Sequence, residues 1–310
     1  MQYSTPRIIM PYNQRLTLNL SGKLLSLEHP VVMGIINVTP DSFYPDSRVS
    51  GEEALRTRVE ELVREGAAIA DVGAYSSRPG AEEVSSEEER RRLTPILRLL
   101  RDEYPELPVS VDTFRAEVAR FAVEEYGATI INDISGGGLD EDMYRTIADL
   151  QVAYILMHMR GNPKTMGEMT DYKDVTLEVL DYFIQRIGQL RELGVHDIIL
   201  DPGFGFSKTL EQNYELLERL GEIHATLSEP LLVGVSRKSM IYRLLDSSPS
   251  DALNGTTALN AFALERGAKI LRVHDVAPAM EAIKLYEAMQ PYQRRDEAIH
   301  YTYHRQDPAN

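Results

Sequence analysis

The chain has no cysteine, which removes structural disulfides, thiolate metal sites and a cysteine nucleophile from consideration. It is also short of positive charge. Lys and Arg number 33 against 48 Asp and Glu, a formal net charge of -15. That balance argues against a general nucleic-acid-binding surface and makes binding of a small anion depend on a local cluster of cations. No apolar run reaches membrane-spanning length, so no membrane association is expected. Met1 to Leu20 lacks a positively charged segment followed by an unbroken apolar stretch, so a soluble cytoplasmic protein is the expectation. Several motifs are missing too. Gly136-Gly137-Gly138 does not follow the dinucleotide pattern, and there is neither a Walker A sequence nor a GxSxG elbow. His158 and His274 lack the third imidazole or the compact spacing of a zinc site.

What is present is a cycle. In 310 residues of 43% hydrophobic composition, short apolar runs alternate with longer charged segments of helical spacing. The runs are Val31 to Val38, Ala67 to Val72, Pro108 to Val111, Ala128 to Ile131, Val152 to Met157, Asp197 to Leu200, Leu231 to Val235 and Lys269 to Val273. Helices are predicted over 52–65, 86–103, 115–126, 141–149, 175–193, 210–220, 251–266 and 277–289. Ser86 and Glu89 fit a capping box, and Gly66, Gly127, Gly194 and Gly267 sit where helices stop. Weak alternation within several runs fits a parallel sheet covered on both faces. Eight strand and helix units in this length predict an α/β fold of the TIM (β/α)₈ barrel type rather than an open sheet. Leu16, Leu18 and Leu20, then Leu24, Leu25 and Leu27, predict an amino-terminal hairpin over the bottom of the barrel. Residues 1–290 are read as one barrel with an extension over 1–30, and 291–310 as a polar peripheral tail.

The carboxyl ends of barrel strands carry function. Here they hold Asn37, Asp71, Asp112, Asn132 with Asp133, His158, Asp201, Ser236 with Arg237 and Lys238, and Arg272 with His274. A lone Asp after a strand also serves as a helix cap, a reading that stands for Asp71 or Asp133 taken singly. Polar groups at all eight ends require partners or a ligand. Asp112, Asn132 and Asp201 suit a planar heterocycle with fused donor and acceptor edges. In Asp201-Pro202-Gly203-Phe204-Gly205-Phe206 the carboxylate follows a strand, and the glycines permit close backbone approach. Arg272, His274, Arg237 and Lys238 supply cations near the last two strands, where a phosphate site is expected. Two loops, Asn37 to Asp46 and Gly73 to Ala81, have the length and polarity of lids. Magnesium is the credible metal, joining Asn37 to phosphate oxygens while keeping several waters.

From about residue 31 to 290, in barrel order, the chain resembles the dihydropteroate synthase family of pterin-binding barrels. The matching segments are Gly34-Ile35-Ile36-Asn37-Val38-Thr39-Pro40-Asp41-Ser42-Phe43, Asp71-Val72-Gly73, Ser77-Arg78-Pro79-Gly80, Ser110-Val111-Asp112-Thr113 and Ile131-Asn132-Asp133-Ile134. The Asp201 to Phe206 segment, Ser236-Arg237-Lys238-Ser239 and Arg272-Val273-His274-Asp275-Val276 complete the set. The resemblance implies condensation of 6-hydroxymethyl-7,8-dihydropterin diphosphate with 4-aminobenzoate, by dissociative substitution. It implies pterin recognition by Asp112, Asn132, Asp201, Lys238 and Arg272, and diphosphate binding by Asn37, Arg78, Arg272 and His274. Magnesium would sit at Asn37, and Ser77, Arg78, Pro79 and Ser236 would hold aminobenzoate. Catalysis would involve Asn37, Asp41, Lys238, Arg272 and His274, with Asp41 favouring the developing positive charge. A homodimer is also implied. One departure stands out: many relatives carry Glu-Ser-Thr-Arg-Pro where this chain has Tyr75-Ser76-Ser77-Arg78-Pro79, which bears on aminobenzoate affinity. On the residues alone, a methyltransferase using methyltetrahydrofolate and a corrinoid protein, and a non-catalytic pterin-binding protein, remain alternatives.

Overall fold

A computed structural model of the chain describes residues 17–38, 48–75 and 84–293. Alternation in the first of these segments makes a plug. β1 (Thr17–Leu20) and β2 (Lys23–Ser26) pair antiparallel. Leu18, Leu20 and Leu27 are buried against Met33, Ile69, Ile130, Ile199 and Ile270, while Leu24 faces outward. Burying each such leucine contributes about 1.5–3 kcal/mol. The predicted hairpin therefore closes the lower mouth; Leu16 lies outside the described residues.

All eight predicted barrel strands form. They are β3 (Val31–Asn37), β4 (Ile69–Gly73), β5 (Val109–Asp112), β6 (Ile130–Asp133), β7 (Ala153–Met157), β8 (Ile198–Asp201), β9 (Leu231–Val233) and β10 (Ala268–Val273). They run parallel in sequence order, and β10 pairs with β3 to close the barrel. Helices over 48–64, 86–103, 116–126, 143–150, 175–192, 253–265 and 276–293 surround it. Their buried faces and the outward-facing strand residues, such as Val72, Val111, Ile131, Leu200 and Leu271, form the larger core.

The structure revises several local expectations. The capping residue of helix Ser86–Glu103 is Ser85, whose hydroxyl accepts from the Glu88 amide at 3.2 Å. Glu89 turns inward to pair with Arg115 instead of closing a capping box. A capping box does form between Thr209 and Gln212. The helix predicted over 210–220 divides into Leu210–Glu218 and Leu220–Thr226 at Arg219, whose guanidinium reaches Asp174, Glu215 and Glu222. β9 stops at Val233, two residues early, because the chain turns there and the Val235 carbonyl accepts from the Lys238 amide. The last helix continues through Pro291 to Gln293, past the point where a polar tail was expected to begin.

One phase relation places the site. Side chains two apart on a strand share a face. Ile69, Ile130, Ile199 and Ile270 fill the barrel interior, so Asp71, Asn132, Asp201 and Arg272 project above them into the upper mouth.

Candidate active site

The mouth is organised around Arg272. Its Nε donates to Asp71 Oδ2 at 2.7 Å, and its Nη2 donates to Asp112 Oδ2 at 2.7 Å. Asp71 is fully buried, and it also accepts from the Asn132 amide nitrogen at 3.3 and 3.4 Å. A carboxylate has only acceptors, so the Asn132 amide must turn its NH₂ toward Asp71 and its oxygen toward the mouth. The sequence reading let Asn132 donate and accept in one plane; in the structure its amide nitrogen also reaches Asp71. Sequence reasoning also left Asp71 between helix cap and ligand. Its signal was its phase, two residues beyond Ile69, the same step that separates Ile199 from Asp201.

Asp201 is nearly buried and uses Oδ1 to accept from the Gly203 amide at 2.8 Å. Its second oxygen takes no hydrogen bond from the described residues. Lys238 donates to the Phe204 carbonyl at 2.5 Å and lies 4.7 Å from the Phe206 ring centroid. Three acceptor oxygens, one each on Asp112, Asn132 and Asp201, thus converge beside a lysine ammonium. Burial pushes the Asp112 carboxyl up to about 7, with the Arg272 charge pulling the other way. Burial raises Asp201 as well, and it lowers Lys238 to about 8.

The opposite rim differs from expectation in charge. Ser236 Oγ accepts from the His274 amide at 3.2 Å and lies 3.0 Å from His274 Nδ1. Burial and the neighbouring Arg272 lower His274 to about 4. The ring is therefore neutral at pH 7 where the sequence suggested a cation. Arg237 forms a bidentate pair with Asp275 at 2.8 and 2.9 Å and donates to the Pro249 and Ser250 carbonyls, so its charge is spent within the scaffold. The helix after it, Ser239–Leu244, has only six residues. Asp133 accepts from Ser135, Gly137 and Tyr154 and is structural. His158 lies behind the turn that follows Asp201, held by Lys208.

Asn37 ends β3 exposed at the rim. Among the described residues no three His, Cys, Asp or Glu side chains gather as a metal cage. A single neutral oxygen fits an ion that keeps most of its waters and takes its charged ligands from a phosphate, as Mg²⁺ does. Asp41, Ser77, Arg78 and Pro79 lie outside the described residues. The neighbouring Tyr75 packs edge-on against Phe114, with ring centroids 5.1 Å apart.

A family model for pterin binding enzymes matches residues 33–274. The dihydropteroate synthase of Escherichia coli strain K12 is 45% identical over 269 residues, covering 86% of this chain and 94% of that one. The dihydropteroate synthase of a Synechocystis species is 44% identical over 261 residues, covering 83% and 89%. Among solved structures, Yersinia pestis dihydropteroate synthase in complex with a sulfonamide drug superposes with a TM-score of 0.82 at 37% identity, covering 89% of this chain and 99% of that one. Xanthomonas albilineans dihydropteroate synthase with 4-aminobenzoic acid superposes with a TM-score of 0.81 at 39% identity, covering 89% and 98%.

Proposed function

The chain belongs to the pterin binding enzyme family and acts as a dihydropteroate synthase, and we propose that an acceptor-lined floor reads the pterin while the rim releases diphosphate. The enzyme condenses 6-hydroxymethyl-7,8-dihydropterin diphosphate with 4-aminobenzoate to give 7,8-dihydropteroate and diphosphate. The observation that carries this division of labour is the convergence of three acceptor oxygens, on Asp112, Asn132 and Asp201, beside Lys238. An aminopyrimidinone edge presents ring and exocyclic N–H donors to such a set, and the lysine ammonium answers its carbonyl. An analogue without those donors leaves buried acceptors unpaired and is rejected.

At the rim, Arg272 and the neutral His274 ring hold the phosphate oxygens beside Asn37. Asn37 would hold Mg²⁺, which would supply charge neutralisation to the leaving group. The bond from the pterin methylene to the diphosphate oxygen breaks, and its electron pair leaves with diphosphate. Asp41 and other first-loop oxygens favour the positive charge that develops on the methylene. The aminobenzoate amine then forms the new carbon–nitrogen bond and sheds a proton. No protein base is required, since an aniline nitrogen is unprotonated near neutral pH. Ser77, Arg78 and Pro79 hold aminobenzoate. Ser236 helps hold its carboxylate.

Among the described residues no helix is long and apolar enough to cross a membrane. The protein works in the cytoplasm, without nucleic acid, as a homodimer. Exposed Leu244, Leu245, Phe262, Leu285 and Met289 on the last three packed helices support that association.

A two-substrate assay tests the function. Diphosphate release is expected only when both pterin diphosphate and aminobenzoate are supplied, and it is expected to fall when magnesium is omitted. Methyl transfer without diphosphate release would overturn the reading. The pH dependence follows from the floor. As pH falls through about 7, Asp112 gains a proton and loses an acceptor; as pH rises through about 8, Lys238 loses one. Pterin affinity is expected to peak between these values in equilibrium titrations, and a flat profile would contradict the assignment.

A further inference from the structure

The turn after Asp201 is gripped from behind by a lysine that the reaction does not use. Lys208 is only 9% exposed. Its ammonium lies 3.0 Å from His158 Nδ1, 3.0 Å from the Gly203 carbonyl and 3.1 Å from the Phe206 carbonyl. Burial lowers the Lys208 amine to about 7, and in its charged form three N–H donors meet three acceptors, with His158 Nδ1 accepting. The Phe204 carbonyl between them is taken from the mouth side by Lys238 at 2.5 Å. Two lysines on opposite sides therefore hold three carbonyls of one four-residue stretch.

That stretch sets the geometry of Asp201. The Gly203 amide donates to Asp201 Oδ1 at 2.8 Å, and Gly203 has φ +71° with its α-carbon packed against the His158 carbonyl. The Gly205 amide is held in turn by Asn213 Oδ1 at 2.6 Å. Packing alone does not call for an ammonium here, since an apolar side chain of similar volume would avoid its desolvation. What an ammonium adds is three donors radiating from one point.

We propose that Lys208 is a positioning residue for pterin recognition, orienting Asp201 through the Gly203 and Phe206 carbonyls and the His158 ring. The inference rests on the reading of Asp201 as a pterin-facing group. Aminobenzoate is held elsewhere, so the effect of Lys208 falls on one substrate.

The test is equilibrium binding of 6-hydroxymethyl-7,8-dihydropterin, with the aminobenzoate KM measured at saturating pterin diphosphate. Lys208→Met keeps the length and removes the donors, leaving the Phe206 carbonyl without its lysine partner and the Gly203 carbonyl with the Phe206 amide alone. It is expected to raise the pterin Kd by about tenfold or more, while the aminobenzoate KM changes by less than about twofold. His158→Leu, which removes one of the three acceptors, is expected to shift the pterin Kd in the same direction by less. A folded Lys208→Met protein with reduced Tm and unchanged pterin Kd would overturn the proposal, as would equal losses for both substrates. Should Lys208→Met not fold, an unchanged pterin Kd in His158→Leu overturns it. Asp201→Ala separates the two readings. If it too leaves the pterin Kd unchanged, the assignment of Asp201 fails; if it weakens binding and Lys208→Met does not, only the role of Lys208 fails.

Discussion

Replacing Arg272 by Met is expected to cost about 3–5 kcal/mol of folding stability, the usual penalty for removing one partner from a buried ion pair. The cause is local. Asp71 is wholly buried, and with Asp112 it shares this one guanidinium. Without it, two carboxylates face each other in the mouth and one must take a proton. Activity is expected to fall by about a thousandfold or more, because the substitution removes a phosphate-side cation and disturbs both the Asp112 acceptor and the Asp71 anchor of Asn132. The stability loss carries a pH signature. In the wild type the Arg272 charge restrains Asp112, which burial has pushed up to about 7; in the variant Asp112 rises further. A carboxyl whose folded pKa exceeds its unfolded value of about 3.9 destabilises the fold increasingly as pH rises from the unfolded value to the folded one. The gap between variant and wild type is therefore expected to hold level at acid pH and to widen from about pH 6 to about pH 9, where the wild-type Asp112 ionises before the variant's. Urea unfolding at both ends of that range decides it, and an equal gap at both would rule out the shared-guanidinium account.

Gly203→Ala is expected to have the second-largest effect. An added β-carbon would sit 2.0 Å from the His158 carbonyl oxygen. That atom belongs to the backbone at the end of a barrel strand, so no rotamer change relieves the clash. The backbone at Gly203, φ +71°, is also one that alanine resists by roughly 1 kcal/mol or more. The turn must open, and Asp201 loses the amide that orients it. A loss of several kcal/mol is expected, together with pterin binding too weak to follow by titration. A variant whose Tm and pterin affinity match the wild type would show that the turn is not fixed as described.

Much of this was legible in the chain because barrel strands advertise both their length and their phase. Ile69, Ile130, Ile199 and Ile270 mark the interior, and the polar residue two places on marks the mouth. The recognition residues Asp112, Asn132 and Asp201 could be grouped from their places at strand ends and their acceptor chemistry. What escaped the sequence was how those groups spend their hydrogen bonds. Asp71 acts on Arg272, 201 positions away, and nothing near either residue states that pairing. His274 reads as a cation beside Arg272 until its burial next to that guanidinium is seen to leave it neutral. Lys208 looks like any loop lysine in Phe206-Ser207-Lys208-Thr209; only the return of His158 beneath the turn encloses it. The misplaced capping box is a smaller case, in which Ser85 and Ser86 are both competent caps and the inward pull of Arg115 on Glu89 decides between them.

The hairpin at the bottom bears on the order of traffic. With Leu18, Leu20 and Leu27 seated beneath the interior isoleucines, the described barrel has a floor and its ligands share one doorway. Asn132 and Asp201 lie deepest, whereas Asn37 stands at the threshold. In a vessel with a single doorway, the ring at the back arrives first and leaves last. On the proposed division of labour, diphosphate released at the threshold departs outward while the pterin stays seated to meet the incoming amine.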